Sequence, residues 1–148
     1  MKITKITNNS FETSLLGEDI AKEVLKNKQN KKAQILALRG DLGAGKTTFL
    51  QGFAKGLGIK EHILSPTFVI FKKFKIKNPS FDLFYHIDCY RLRDSKDLLG
   101  LGFEEFSSNP KNIIAIEWSE IINDILPKDK ISIHFEFKDE EKRIITIK

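Results

Sequence analysis

At 148 residues the chain has the length of one domain, and its 41% hydrophobic and 30% charged content is that of an ordinary folded globular protein. A formal charge of +5, from 25 basic and 20 acidic side chains, permits an anionic partner but requires none. No apolar run approaches the ~20 residues of a membrane span, no signal-peptide core opens the chain, and a single cysteine excludes an intrachain disulfide, so a cytoplasmic protein is expected.

In chain order, Ile3 to Thr7 alternates weakly and predicts a short strand. Ser10 to about Lys26 predicts a helix. Phe11, Leu15, Ile20, Val24 and Leu25 supply its apolar stripe, with Ser10 or Thr13 as N-cap. A polar, basic loop runs to Lys32. Ala33 to Arg39 is a short apolar run of the kind that forms a buried strand. Thr47 to Leu57 then predicts an amphipathic helix, with Phe49, Leu50, Phe53, Ala54 and Leu57 on one stripe.

Between them stands Gly40-Asp-Leu-Gly-Ala-Gly45-Lys46-Thr47, a gapless match to G-x-x-x-x-G-K-[ST]. Strand, glycine-rich loop and helix is the setting this motif requires. Glycines let the backbone curl until several N–H groups point into one concavity, and that nest with the helix N-terminus holds phosphate oxygens. Asp41, Gly43, Ala44, Gly45, Lys46, Thr47 and Thr48 are therefore the expected phosphate-binding set, with Lys46 on the β/γ-phosphates and the Thr47 hydroxyl on Mg²⁺.

Beyond the helix, Ser65-Pro66-Thr67-Phe68 opens a stretch running to Lys77. Its second half alternates Phe74 and Ile76 against Lys73, Lys75 and Lys77 and predicts a half-exposed strand. Asn78-Pro79-Ser80 signals a turn, and Phe81 to Tyr90 predicts the partner strand of an antiparallel hairpin. Asp94 or Ser95 can cap a short helix through Leu99. Gly100 and Gly102 punctuate before Phe103 to Phe106. Asn112 to Glu117 predicts another buried strand, and Leu126-Pro127 ends the short helix after it. Ile131 to Phe137 and Arg143 to Ile147 predict a C-terminal β-hairpin. The sum is a single α/β domain over residues 1–148, P-loop NTPase-like, with a mixed β-sheet and helices on both faces.

A P-loop needs an acidic partner for Mg²⁺ at the end of a neighbouring strand. Asp88 and Glu117 each end a predicted strand. His86 shares a strand face with Asp88, and Cys89 lies on the other. Each acid also has a plainer reading: Asp88 as a turn or capping carboxylate, Glu117 as a helix N-terminal charge. Thr67, on a loop after Pro66, either senses the γ-phosphate or Mg²⁺ as switch loops do, or makes a simple turn. No N-K-x-D follows a strand, so ATP is expected over GTP. No arginine-rich lid is visible, which weighs against a stand-alone small-molecule kinase. The three histidines lack metal-ligand spacing, and Cys89 reads as a small buried hydrophobe.

The ordered set Gly40–Thr48, Ser65-Pro-Thr-Phe68, His86-Ile-Asp-Cys-Tyr-Arg-Leu92, Leu101-Gly-Phe-Glu-Glu105 and Ile116-Glu-Trp-Ser119 resembles the TsaE (YjeE) family of bacterial ATPases, over nearly the whole chain. The resemblance implies ATP and Mg²⁺ as cofactors and catalytic roles for Lys46, Thr67, Asp88 and Glu117. Asp88 becomes the Walker B acid. Glu117 ligates or approaches Mg²⁺ and helps position the attacking water. Trp118 packs by the nucleotide. It also implies partners, the TsaB and TsaD proteins, and a part in making threonylcarbamoyladenosine on tRNA, by cycling or resetting the transferase, with tRNA contacted indirectly or directly. A kinase, or a nucleotide-dependent switch with negligible turnover, are the competing readings.

Overall fold

The computed structural model of the protein describes residues 2–27, 31–41, 43–64 and 71–148. Its sheet has seven strands: β1 (Ile3–Thr7), β2 (Gln34–Arg39), β3 (Phe71–Lys75), β4 (Leu83–Asp88), β5 (Asn112–Glu117), β6 (Ile131–Phe137) and β7 (Arg143–Ile147). They lie in the order β1-β7-β6-β2-β5-β4-β3. β2 runs parallel to β5 and β6, and β4 parallel to β5. The hairpins β3/β4 and β6/β7 and the β1/β7 pair are antiparallel. The sheet is thus mixed, and β2 and β5, the most apolar strands, sit inside it as fully buried parallel strands do.

Period-two alternation sends side chains to two cores. Leu36, Leu38, Phe84, Ile113, Ala115, Ile133 and Phe135 meet α1 (Ser10–Lys26) and α2 (Lys46–Gly56) on one face. Ile35, Tyr85, Ile87, Ile114 and Ile116 meet α3 (Ser95–Leu99), α4 (Phe103–Ser107) and a 3-10 helix, Ser119–Ile125, on the other. Asp94 caps α3, as its position before the helix implies. Cys89 is buried in the second core, and burial pushes its thiol up to about 12, which removes it as a nucleophile at neutral pH.

The face that α1 buries differs from the expected stripe. Val24 is buried and Ile20 and Leu25 pack against the core as expected, but Phe11 and Leu15 are exposed, 72% and 43%, and Thr13, Gly17 and Ala21 are buried in their place. The reason is the close crossing with α2. A Cβ on Gly17 would run into the Phe49 carbonyl oxygen, and one on Gly52 into that of Ser14. Only the small-residue face allows that approach, so size overrides hydrophobicity. The cap is also displaced by one residue: Asn9, not Ser10 or Thr13, accepts from the Glu12 amide at 2.8 Å. Thr13 instead bonds Thr7 Oγ1 at 2.7 Å, tying the helix to β1.

The β3/β4 hairpin forms as expected, with Phe74 opposite Phe84, and β3 is an edge strand. The opening of that stretch, including Ser65 to Phe68 and thus Thr67, lies outside the described residues. Among the described residues no helix is long and apolar enough to cross a membrane.

Candidate functional site

The P-loop joins the C-terminal end of β2 to α2, and β5 lies beside β2 with β4 beyond it. The register aligns Leu38 with Glu117 and Glu117 with Asp88, so the two acids end adjacent parallel strands. By parity Phe84, His86 and Asp88 on β4, and Ile113, Ala115 and Glu117 on β5, share the face covered by α2. That face meets the first turn of α2, where Lys46 and Thr47 stand. A crevice at the carboxyl ends of parallel strands is where open α/β sheets bind ligands.

Gly45 takes φ 100°, a left-handed conformation that suits glycine and lets the loop turn straight into α2. Lys46 is buried. Its Nζ donates to the carbonyl oxygens of Gly40 and Asp41, the latter at 3.1 Å, and lies 4.5 Å from the Trp118 ring centroid. Burial pulls the Lys46 ammonium below its ordinary value, against the opposing fields of Glu117, Glu120, Asp88 and Asp41. Thr47 Oγ1 approaches Glu117 Oε1 at 3.5 Å. Glu117 is buried, and its Oε2 lies 2.7 Å from His86 Nε2. Asp88 accepts from the Tyr90 amide at 2.9 Å. Burial lifts the Asp88 carboxyl above the usual range, and the Glu117 charge adds to that.

These groups converge on one cavity of about 280 Å³. Of the expected residues, Gly43, Ala44, Gly45, Lys46, Thr47, Thr48, Asp88, Glu117 and Trp118 all line it. Asp41 does not. It is exposed at the mouth of the loop and takes part through its carbonyl. Thr67 lies outside the described residues. Trp118 holds φ 57°, alone in the left-handed region among the described non-glycine residues. Its ring lies over Lys46 and packs 5.1 Å from the ring of Tyr90. An unfavourable backbone conformation kept at such a point is typical of a functional site.

Two lining residues are not among the expected site residues. Tyr90 stands in the His86–Leu92 segment that carries the family resemblance, but no site role is assigned to it. Arg143 comes from β7, a hundred residues from Gly43, whose carbonyl it bonds at 2.9 Å. It also bonds the carbonyls of Asp139 and Lys142, so the turn between β6 and β7 is pinned to the P-loop. A groove of about 410 Å³ lies elsewhere, on the open face of β6 and β7. It is larger than the P-loop cavity, but it lacks the loop and the paired strand-end acids, and chemistry decides over volume.

Among the described residues no three His, Cys, Asp or Glu side chains cluster as a metal cage. The oxygen donors available at the loop are Thr47 Oγ1 and the Glu117 and Asp88 carboxylates. Hard oxygen donors of this number suit a cation that keeps waters and phosphate oxygens as its other ligands, which describes Mg²⁺.

The solved structure titled "Crystal structure of Bacillus subtilus YdiB" superposes with a TM-score of 0.74, at 31% identity, covering 99% of this chain and 84% of that one. A curated relative from Rickettsia felis, named tRNA threonylcarbamoyladenosine biosynthesis protein TsaE, is 39% identical over 143 residues, 96% of this chain and 77% of the relative. Proteins of the same name from Bacillus subtilis and Haemophilus influenzae are 40% and 33% identical, covering 78% and 96% of this chain and 70% and 87% of their own lengths. The family model described as "Threonylcarbamoyl adenosine biosynthesis protein TsaE" matches residues 7–145, and with that match across the P-loop and both strand-end acids, the chain belongs to the TsaE family.

Proposed function

We propose that this protein is an Mg²⁺-dependent ATPase that assists a TsaB–TsaD pair in forming threonylcarbamoyladenosine on tRNA, cycling or resetting the transferase rather than performing the transfer. The observation that carries the nucleotide part is the convergence of Lys46, Thr47, Asp88 and Glu117 on one cavity at the head of α2. The pathway part rests on membership of the family.

In this reading Lys46 leaves the carbonyls of Gly40 and Asp41 and turns to the β/γ-phosphates, which are stronger acceptors. The loop amides of residues 43–48 take the remaining phosphate oxygens. Thr47, Asp88 and Glu117 would hold the metal, whose charge would offset that developing on the transferred phosphoryl group. Glu117 also helps position the attacking water. Trp118 keeps bulk water from Lys46. Thr67, outside the described residues, is assigned the γ-phosphate-sensing role. ATP is preferred to GTP because no guanine-reading motif exists in the sequence.

Phosphate release decides the reading. It is measured for the protein alone, with candidate metabolites, and with TsaB plus TsaD. Stimulation by the pair supports the proposal. Stimulation by a metabolite with product phosphorylation replaces it with a kinase. Binding without turnover in any mixture leaves a nucleotide switch.

A further inference from the structure

His86 does not line the P-loop cavity, yet it is the most deeply buried polar side chain near it. It is fully buried, and its Nε2 meets Glu117 Oε2 at 2.7 Å. Its Nδ1 is buried with no hydrogen-bond partner among the described residues. That asymmetry assigns the proton. A buried N–H without an acceptor is rarer and costlier than a buried lone pair without a donor. The ring is therefore the Nε2–H tautomer, donating to Glu117.

The register explains why the bond exists. His86 pairs with Ala115 across β4 and β5, and Glu117 is two residues further along the same face. Diagonal neighbours on one sheet face are within reach of long side chains. The small Ala115 leaves space for the imidazole beneath the glutamate. Glu117 then has one oxygen tied down and the other, Oε1, turned 3.5 Å from Thr47 Oγ1 and onto the cavity wall. Without the donor, Oε2 would be a buried carboxylate oxygen lacking a protein partner, and the side chain would rotate or turn Oε2 outward to find one.

We infer that His86 is a positioning residue: its Nε2–H fixes the Glu117 carboxylate so that Oε1 is presented to the metal side of the nucleotide site. The inference rests on the reading of Glu117 as a residue of the Mg²⁺–nucleotide site. A histidine that merely stabilises the core would make the same bond without affecting what Mg²⁺ adds to nucleotide binding, so that gain is the quantity to measure.

The test is equilibrium binding of a fluorescent methylanthraniloyl-ATP with Mg²⁺ and with a chelator, on the full chain, for wild type, His86→Leu, His86→Gln, His86→Asn and Glu117→Ala. Thermal melting confirms that each variant is folded. Glutamine places an amide N–H where Nε2 stood, whereas asparagine reaches only as far as Nδ1. The expected result is that Mg²⁺ enhances affinity in wild type and that His86→Leu loses about tenfold of the enhancement with unchanged metal-free affinity. His86→Gln should restore it to within about threefold, while His86→Asn should not. If His86→Leu fails to fold, the glutamine–asparagine pair decides alone. A wild-type enhancement in folded His86→Leu or His86→Asn, or one as weak in His86→Gln as in His86→Asn, overturns the inference. If Glu117→Ala loses the enhancement in those cases, the reading of Glu117 survives. An unchanged enhancement in Glu117→Ala overturns that reading and this inference together.

Discussion

The helix crossing on one face of the sheet and the rim at the ends of β4 and β5 lie against the same α2, yet they are built on opposite terms. At the crossing everything is complete within the chain. Gly17 and Gly52 let two backbones touch, and Phe49 packs edge-to-face on Phe135 with centroids 5.4 Å apart. No charged side chain is buried there. At the rim Lys46, His86 and Glu117 are all buried, and burial weakens Lys46 as a base-held cation and Asp88 as an anion. Charges kept out of water without full compensation cost stability. The crossing minimises the free energy of the chain alone. On the proposed reading the rim holds groups whose best partner is a bound nucleotide, and that is why such a site is found by looking for what the fold does not satisfy.

The largest effect should come from spoiling the crossing. In Gly52→Ala the new Cβ meets the Ser14 carbonyl, which is backbone and cannot step aside. Overpacking of this kind costs about 3 kcal/mol, a drop in melting temperature of roughly 10 °C for a domain of this size. Gly100→Ala is the control. Its nearest atoms stand at 3.7 and 3.8 Å and its φ is −63°, so melting should stay at wild type. Equal melting of the two variants would dissolve the contrast on the packing side.

Next comes Lys46→Ala. Losing a positive charge opposite phosphates in a preorganised site should weaken triphosphate binding roughly 100-fold, or about 2–3 kcal/mol. The nucleotide-free protein should melt close to wild type, because the lost side chain is a desolvated cation. Retained affinity with lowered stability would place Lys46 among the packing residues instead.

Asp88→Asn sharpens the comparison through pH. The folded-state pKa of Asp88 is raised, so the native state binds its proton more readily than the unfolded chain. Its favourable contribution is present below the unfolded value and is lost as pH rises through the folded one. The nucleotide-free Asp88→Asn protein should therefore melt higher than wild type at neutral pH. That advantage should shrink as the medium is acidified through the raised folded-state value and be gone once the ordinary carboxylate range is reached, where wild type is neutral too. A thermal-melt series against pH reads this directly. Hydrolysis should fall in the same variant, so stability and activity move in opposite directions.

How much of this was legible beforehand follows the same division. The strands and α2 were readable because period-two and 3.6-residue patterns of Val-, Ile- and Phe-like side chains report burial locally. Asp88 and Glu117 were readable as candidates because each ends an apolar run, and the parallel register then made them neighbours. The N-terminal half of the α1 face differs from the expected stripe because a small-residue stripe at a close crossing looks polar and Phe11 looks like core, while the structure leaves Phe11 72% exposed. Arg143 was invisible because its place at the P-loop is set by the β6/β7 turn, a hundred residues from Gly43. His86 could be placed on the face of Asp88 but not bonded to Glu117, since that contact needs the β4/β5 register.

The smallest effect concerns β3, the edge strand that extends the sheet beyond β4. Its residues Lys73 and Lys75, with Lys77 beyond its end, are exposed, while Phe74 and Ile76 pack toward the α1–α2 core. Lysines on an edge have a sufficient structural purpose, since a charged edge discourages strand-to-strand aggregation. The row also follows directly after residues 65–70, the stretch that on the proposed reading senses the nucleotide, and an exposed basic row there suits an acidic partner face. The two roles respond differently to charge reversal. In a Lys73, Lys75, Lys77→Glu triple variant the edge remains charged, so solubility and melting should hold. ATP affinity should hold as well, because none of the three lines the P-loop cavity. If the row meets TsaB–TsaD or tRNA, capture of the complex should weaken about tenfold at low salt and less at high salt, because exposed charges are screened beyond ~10 Å at 0.1 M. Undiminished capture at both salt concentrations would leave the row as edge protection and nothing more.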